Sequence, residues 1–91
     1  MSPVSRAVEV RNRRGLHARA SAKFVTLASQ IDAQIEVEKD GTKVCGTSIM
    51  GLMMLAAGCG STIDIVVEGN EAQVLADALR DLVAGRFGEP T

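Results

Sequence analysis

Ninety-one residues suffice for one domain with a single modest core and are too few for two. Apolar residues form 46% of the chain, yet Trp and Tyr are absent and the only phenylalanines are Phe24 and Phe87, so Val, Ile, Leu, Met and Ala must build the interior. Ten basic against eleven acidic side chains leave a net charge of −1, which excludes a global field drawing the chain to nucleic acid or membrane. The missing Tyr and Trp also remove the aromatic platform that a nucleic-acid binder uses to stack bases.

No apolar run approaches the roughly 20 residues needed to span a bilayer, so no membrane insertion is expected. The N-terminal stretch Met1-Ser2-Pro3-Val4-Ser5-Arg6 lacks the apolar centre of a signal peptide. Cys45 and Cys59 are too few for a disulfide framework, and free thiols suit a reducing cytoplasm. With His17 they match no compact zinc spacing, so no metal is expected and both are assigned as small buried hydrophobes. The whole chain, 1–91, is expected to be one domain.

In chain order, Val4, Val8 and Val10 alternate with Ser5, Ala7 and Glu9, predicting a strand with one covered face. Arg6 falls on the apolar parity, which suggests that the outer end of this strand is open. Residues 11–16 form a polar loop. Ala20, Phe24, Leu27 and Ala28 then recur at the spacing of one buried helix face. Ala33, Ile35 and Val37 alternate with Gln34, Glu36 and Glu38 in a second strand, and Asp40-Gly41 is a short-hairpin turn leading to a returning strand from Thr42 to Gly46.

Thr47 or Ser48 can cap a short helix over Ile49-Met50-Gly51-Leu52-Met53-Met54-Leu55, which Gly58-Cys59-Gly60 breaks. Ile63, Ile65 and Val67 mark a fourth strand. After Gly69-Asn70, a last helix carries Val74, Leu75, Ala78, Leu79, Leu82 and Val83 on one stripe and stops at Gly85. The order is βαββαβα. Strands with one polar face imply a four-stranded antiparallel sheet covered on one face by three helices, an α+β open-faced β-sandwich.

The stretch Asn12-Arg13-Arg14-Gly15-Leu16-His17-Ala18-Arg19-Ala20-Ser21 holds the only histidine, placed where loop gives way to helix. A helix start offers up to four unpaired N–H groups and about half a unit of positive dipole, a setting suited to a phosphoryl group carried on an imidazole. Arg19 adds a cation with donors that fit phosphate oxygens, and Gly15 lets the loop backbone approach closely. The residues alone leave two readings open: a phosphate-carrying histidine, or a polar capping residue with a solvated basic rim of Arg13, Arg14 and Arg19. Ser48 has its own local role as an N-cap, worth about 1 kcal/mol.

Gly15-Leu16-His17-Ala18-Arg19 resembles the active-site signature of the histidine-containing phosphocarrier family HPr, including its nitrogen-branch relative NPr. The stretch Ser48-Ile49-Met50-Gly51-Leu52-Met53-Met54-Leu55-Ala56-Ala57 resembles the segment that carries the family's regulatory serine, at family-like separation. The resemblance covers nearly the full length. It implies that His17, through Nδ1, accepts a phosphoryl group from phosphorylated enzyme I, charged by phosphoenolpyruvate, and passes it to an enzyme-II-type acceptor. Arg19 would steady the phosphate, supported by Gly15, Leu16 and Ala18. Such a chain is a stoichiometric phosphohistidine carrier rather than a turnover catalyst, works as a monomer in the cytoplasm, and needs no cofactor.

The resemblance further implies that Ser48 is a target of HPr kinase/phosphorylase. The short helix Ile49 to Leu55 is itself apolar almost all round, more than a one-sided surface helix needs: Leu52 and Leu55 are assigned to the core, and Ile49, Met50 and Met53 either join it or form an exposed, adaptable patch beside His17 for docking partners. Ala20 departs from the family, many members of which have proline there. Because the chain runs on through Gly88-Glu89-Pro90-Thr91, a contact between a terminal carboxylate and Arg19, proposed for some relatives, is not carried over. The segment GTSIMGLMMLAAG is similar to the branch found in alphaproteobacteria and leans toward a regulatory relay rather than sugar uptake. The rival from another class is a regulatory protein-binding domain acting without phosphotransfer.

Overall fold

The computed structural model describes residues 2–91. Its elements run β1 (Val4–Glu9), α1 (Ala18–Ala28), β2 (Ala33–Lys39), β3 (Thr42–Cys45), α2 (Ile49–Met54), β4 (Thr62–Gly69) and α3 (Ala72–Ala84), followed by a 3-10 turn at Arg86–Gly88. The sheet order is β1-β4-β2-β3 and every pairing is antiparallel. This is the open-faced sandwich that strand alternation predicts. The hairpin between β2 and β3 turns through Asp40 (φ 50°) and Gly41 (φ 84°), the pair of positive φ angles that suits a tight hairpin.

Inward residues pair in rows across the sheet: Val8 with Ile63, Ile65 with Val37, and Val67 with Ile35. Phe24 from α1, Leu52 from α2, and Leu75, Leu79 and Val83 from α3 close over them, all buried. Glu9, Glu36, Asp64 and Glu68 line the opposite, solvent face. Among the described residues, no helix is long and apolar enough to cross a membrane.

Three expectations need correction. On α3 the buried set is Ala72, Leu75, Ala76, Leu79 and Val83, whereas Val74 is 61% exposed. At about 100° per residue Val74 lies on the side opposite Ala72 and Ala76, so its hydrophobicity does not place it inside. Arg6 does not leave the strand end open: its Nε donates to Asp77 Oδ1 at 2.7 Å, clasping β1 to α3. That hydrogen bond, opposed by desolvation and aided by the charges of Arg6 and Arg80, holds the Asp77 carboxyl below its ordinary range.

Both cysteines are exposed rather than buried. Val44 takes the inward parity of β3, so Cys45 must point outward, where its sulfur lies 3.1 Å from Thr47 Oγ1. Hydrogen bonding to the Thr47 side chain, then to its backbone, lowers the Cys45 thiol pKa. Cys59 sits in the turn after α2 and its thiol reaches the Arg11 carbonyl.

Candidate functional site

His17 is the N-cap of α1. Its extended backbone (φ −71°, ψ 177°) turns Nδ1 toward the first free amides, and the N–H groups of Arg19 and Ala20 approach it at 3.2 and 3.5 Å. Its carbonyl accepts the N–H of Ser21, and the Ser21 hydroxyl donates to the Leu16 carbonyl. The cap reading and the phosphate reading therefore describe the same atom. An Nδ1 that receives two donors carries no proton, and its lone pair lies where the helix amides converge.

The loop before it is fixed from both sides. Asn12 is fully buried and its Nδ2 donates to the Gly15 carbonyl at 2.7 Å and to Glu89 Oε1 at 3.2 Å. Both partners are acceptors, which sets the orientation of the amide and leaves Oδ1 without a partner among the described residues. Gly15 has φ +67°, and a Cβ there would lie 2.4 Å from the Ala57 carbonyl oxygen. Only glycine combines that backbone with so close an approach. The next N–H, of buried Leu16, donates to the same Ala57 oxygen at 3.0 Å. Ala56 adopts a positive φ of 51° as the chain leaves α2, which helps present that carbonyl. The His17 loop and the exit of α2 are thus one hydrogen-bonded unit.

The C-terminal segment completes the site. Arg86, Phe87 and Gly88 have φ of 60°, 55° and 78°, a left-handed run that reverses the chain after α3. For L-residues such a backbone costs roughly 1–2 kcal/mol each. Burial of the Phe87 ring offsets it, and Lys23 Nζ donates to the Phe87 carbonyl at 2.7 Å. Glu89 is thereby delivered to His17, with Oε2 2.5 Å from Nε2. The two side chains are only 13% and 18% exposed, so water screens the pair little. Burial opposes the charge on Glu89, but hydrogen bonds from His17 and Asn12, reinforced by the charge of Lys23, hold its carboxyl below the usual range.

Arg14, His17, Arg19, Lys23 and residues 88–91 line a hollow of about 360 Å³. Arg14, Arg19 and Lys23 are exposed there, giving it a cationic rim. Ala18 opens the helix, and buried Ala20 is compatible with it in place of proline. Ser48 lies elsewhere, as the N-cap of α2, its Oγ accepting the Gly51 N–H at 3.0 Å. Beside it Ile49, Met50 and Met53 are exposed while Leu52 and Leu55 are buried. Asn12, Lys23 and Glu89 are not among the site residues to which the sequence points. Asn12 opens the loop before His17, and that position is its one accessible signal; Glu89 lies 72 residues from His17 and has none.

The profile of the family described as "PTS HPr component phosphorylation site" matches residues 4–85. The chain belongs to the HPr family of the phosphotransferase system. The phosphocarrier protein HPr of Cupriavidus necator is 46% identical over 86 residues, covering 94% of this chain and 97% of that one. The phosphocarrier protein NPr of Shewanella violacea is 39% identical, covering 98% of each. The crystal structure of HPr-C-His from Thermoanaerobacter tengcongensis matches with a TM-score of 0.89 and 42% identity, covering 100% of both chains.

Proposed function

We propose that the chain, as a single domain over 1–91, is a phosphocarrier of the phosphoenolpyruvate-dependent phosphotransferase system. His17 Nδ1 attacks the phosphorus held by phosphorylated enzyme I; the new N–P bond forms as the bond to the donor breaks, its electron pair leaving with the donor. An enzyme-II-type acceptor later takes the group by the same in-line exchange, and the pair returns to Nδ1. The observation that carries this reading is Nδ1 capping an eleven-residue helix beside a cationic hollow. The helix amides and Arg19 are disposed to receive phosphate oxygens, and transfer of this kind depends chiefly on positioning and charge. A few exposed donors also suit a carrier, because holding phosphohistidine too tightly would raise the barrier to its discharge.

Supporting surfaces follow from the same layout. Ile49, Met50 and Met53, respectively 39%, 71% and 41% exposed, offer an adaptable docking patch joined to the site through the Leu16–Ala57 hydrogen bond. Ser48 serves as a regulatory site for HPr kinase/phosphorylase: a phosphate there adds about −2 charge beside this patch, which hinders docking while leaving the core intact. The carrier acts in the cytoplasm as a monomer, within a regulatory rather than a sugar-uptake relay.

Incubation with enzyme I, magnesium and labelled phosphoenolpyruvate tests the reading. Acid-labile, base-stable label that vanishes in His17→Ala supports it. No label with a competent enzyme I would instead favour a binding domain that acts without phosphotransfer. Label from ATP and the kinase that survives acid and disappears in Ser48→Ala tests the regulatory branch.

A further inference from the structure

Glu89 holds the face of the imidazole that the phosphoryl group does not use. Nδ1 accepts two backbone N–H groups, so the ring proton resides on Nε2, and Glu89 Oε2 is 2.5 Å from that nitrogen. The contact is built rather than incidental. Asn12 grips the second carboxylate oxygen, Lys23 holds the preceding backbone, and the left-handed run through Arg86 and Phe87 is anchored by the buried Phe87 ring. We propose that Glu89 is a positioning residue for phosphotransfer: it fixes the proton on Nε2 and balances the positive charge the ring acquires when Nδ1 binds phosphorus.

The inference rests on the carrier reading. A neutral imidazole with its proton on Nε2 attacks through the Nδ1 lone pair, and the resulting ring, bonded to phosphorus on one side and hydrogen on the other, is formally cationic. An adjacent carboxylate favours that state. The balance closes without any proton transfer. In discharge the N–P electron pair returns to Nδ1 and neutral imidazole leaves, where an unprotonated Nε2 would force departure of an imidazolate. Because Nδ1 and Nε2 point away from each other, the carboxylate serves the ring without lying against the phosphate. The buried aspartate of serine-protease triads acts on its histidine in the same way, orienting the imidazole and stabilising its cation without taking the proton.

The test uses the full chain and the variants Glu89→Ala and Glu89→Gln, which sit beyond the last helix and leave Phe87 in the core. In the wild type, proton NMR is expected to show an Nε2–H resonance protected from solvent exchange; Glu89→Ala should lose it. Single-turnover transfer from phospho-enzyme I should slow about tenfold in both variants at saturating carrier, a change of about 1.4 kcal/mol, with half-saturation unchanged. A protected Nε2–H signal in Glu89→Ala, or wild-type transfer rates in both variants, would overturn the inference. A wild type that takes no label from enzyme I overturns the carrier reading instead, since the Nε2–H signal is read without any phosphate.

Discussion

Among the described residues, two helices begin with a side-chain cap, and the caps are unlike. At α2, Ser48 gives one oxygen to one amide beside exposed methionines. At α1, His17 gives a nitrogen to two amides, with arginines on its rim and a carboxylate behind the ring. Both satisfy amides that the helix leaves unpaired. Only the histidine does so with an atom that is also a good nucleophile for phosphorus, and only there does a distant segment fold back to cover the other side of the group. A cap becomes a chemical site through what surrounds it.

The sharpest way to break the comparison is to keep the α1 cap and remove its chemistry. Asparagine caps helices as well as serine does, so His17→Asn should lose all enzyme-I-dependent label while its stability to urea stays within about 1 kcal/mol of the wild type. Next in size is the joint between the two helices. Gly15→Ala imposes a side chain on a positive φ and against the Ala57 carbonyl, so it should cost on the order of 3 kcal/mol in denaturant titration.

Ser48→Ala should lower stability by about 1 kcal/mol and leave the His17 label intact, whereas Ser48→Asp keeps a cap and adds only charge. The smallest effect concerns pH. The folded-state value of Glu89 lies below its unfolded one, so its contact with His17 is fully present above the unfolded value and is lost as pH falls through the folded one. Carbon-13 carboxyl titration should therefore find Glu89 ionising below the usual carboxylate range, with the Asn12 side-chain amide shifting over the same acid interval.

What the sequence discloses follows the reach of local signals. Alternation in β2 and β4, the Asp40-Gly41 hairpin and the Gly15 to Arg19 signature are all written in neighbouring residues, and the fold and the histidine follow from them. The contacts that finish the site are not local. Glu89 meets His17 only because Arg86 and Phe87 turn left-handed, a conformation that nothing in the letters of that segment demands. Val74 and the two cysteines show the same limit: hydrophobic character suggested burial, but helix angle and strand parity placed them outside.

The solvent face of the sheet gives the net charge of −1 a different meaning. Glu9, Glu36, Asp64 and Glu68 lie on that face, while Arg14, Arg19 and Lys23 gather around His17 on the helix side. The molecule is nearly neutral in sum, yet its cationic rim and its acidic sheet face lie apart, with Lys43 opposite Glu38 and Arg11 at 3.5 Å from Glu9 offsetting part of that face. An acidic surface therefore attracts the rim beside the imidazole more than it attracts the sheet face. Productive collisions become a larger share of all collisions, and added salt erases that advantage before it weakens any contact within the fold.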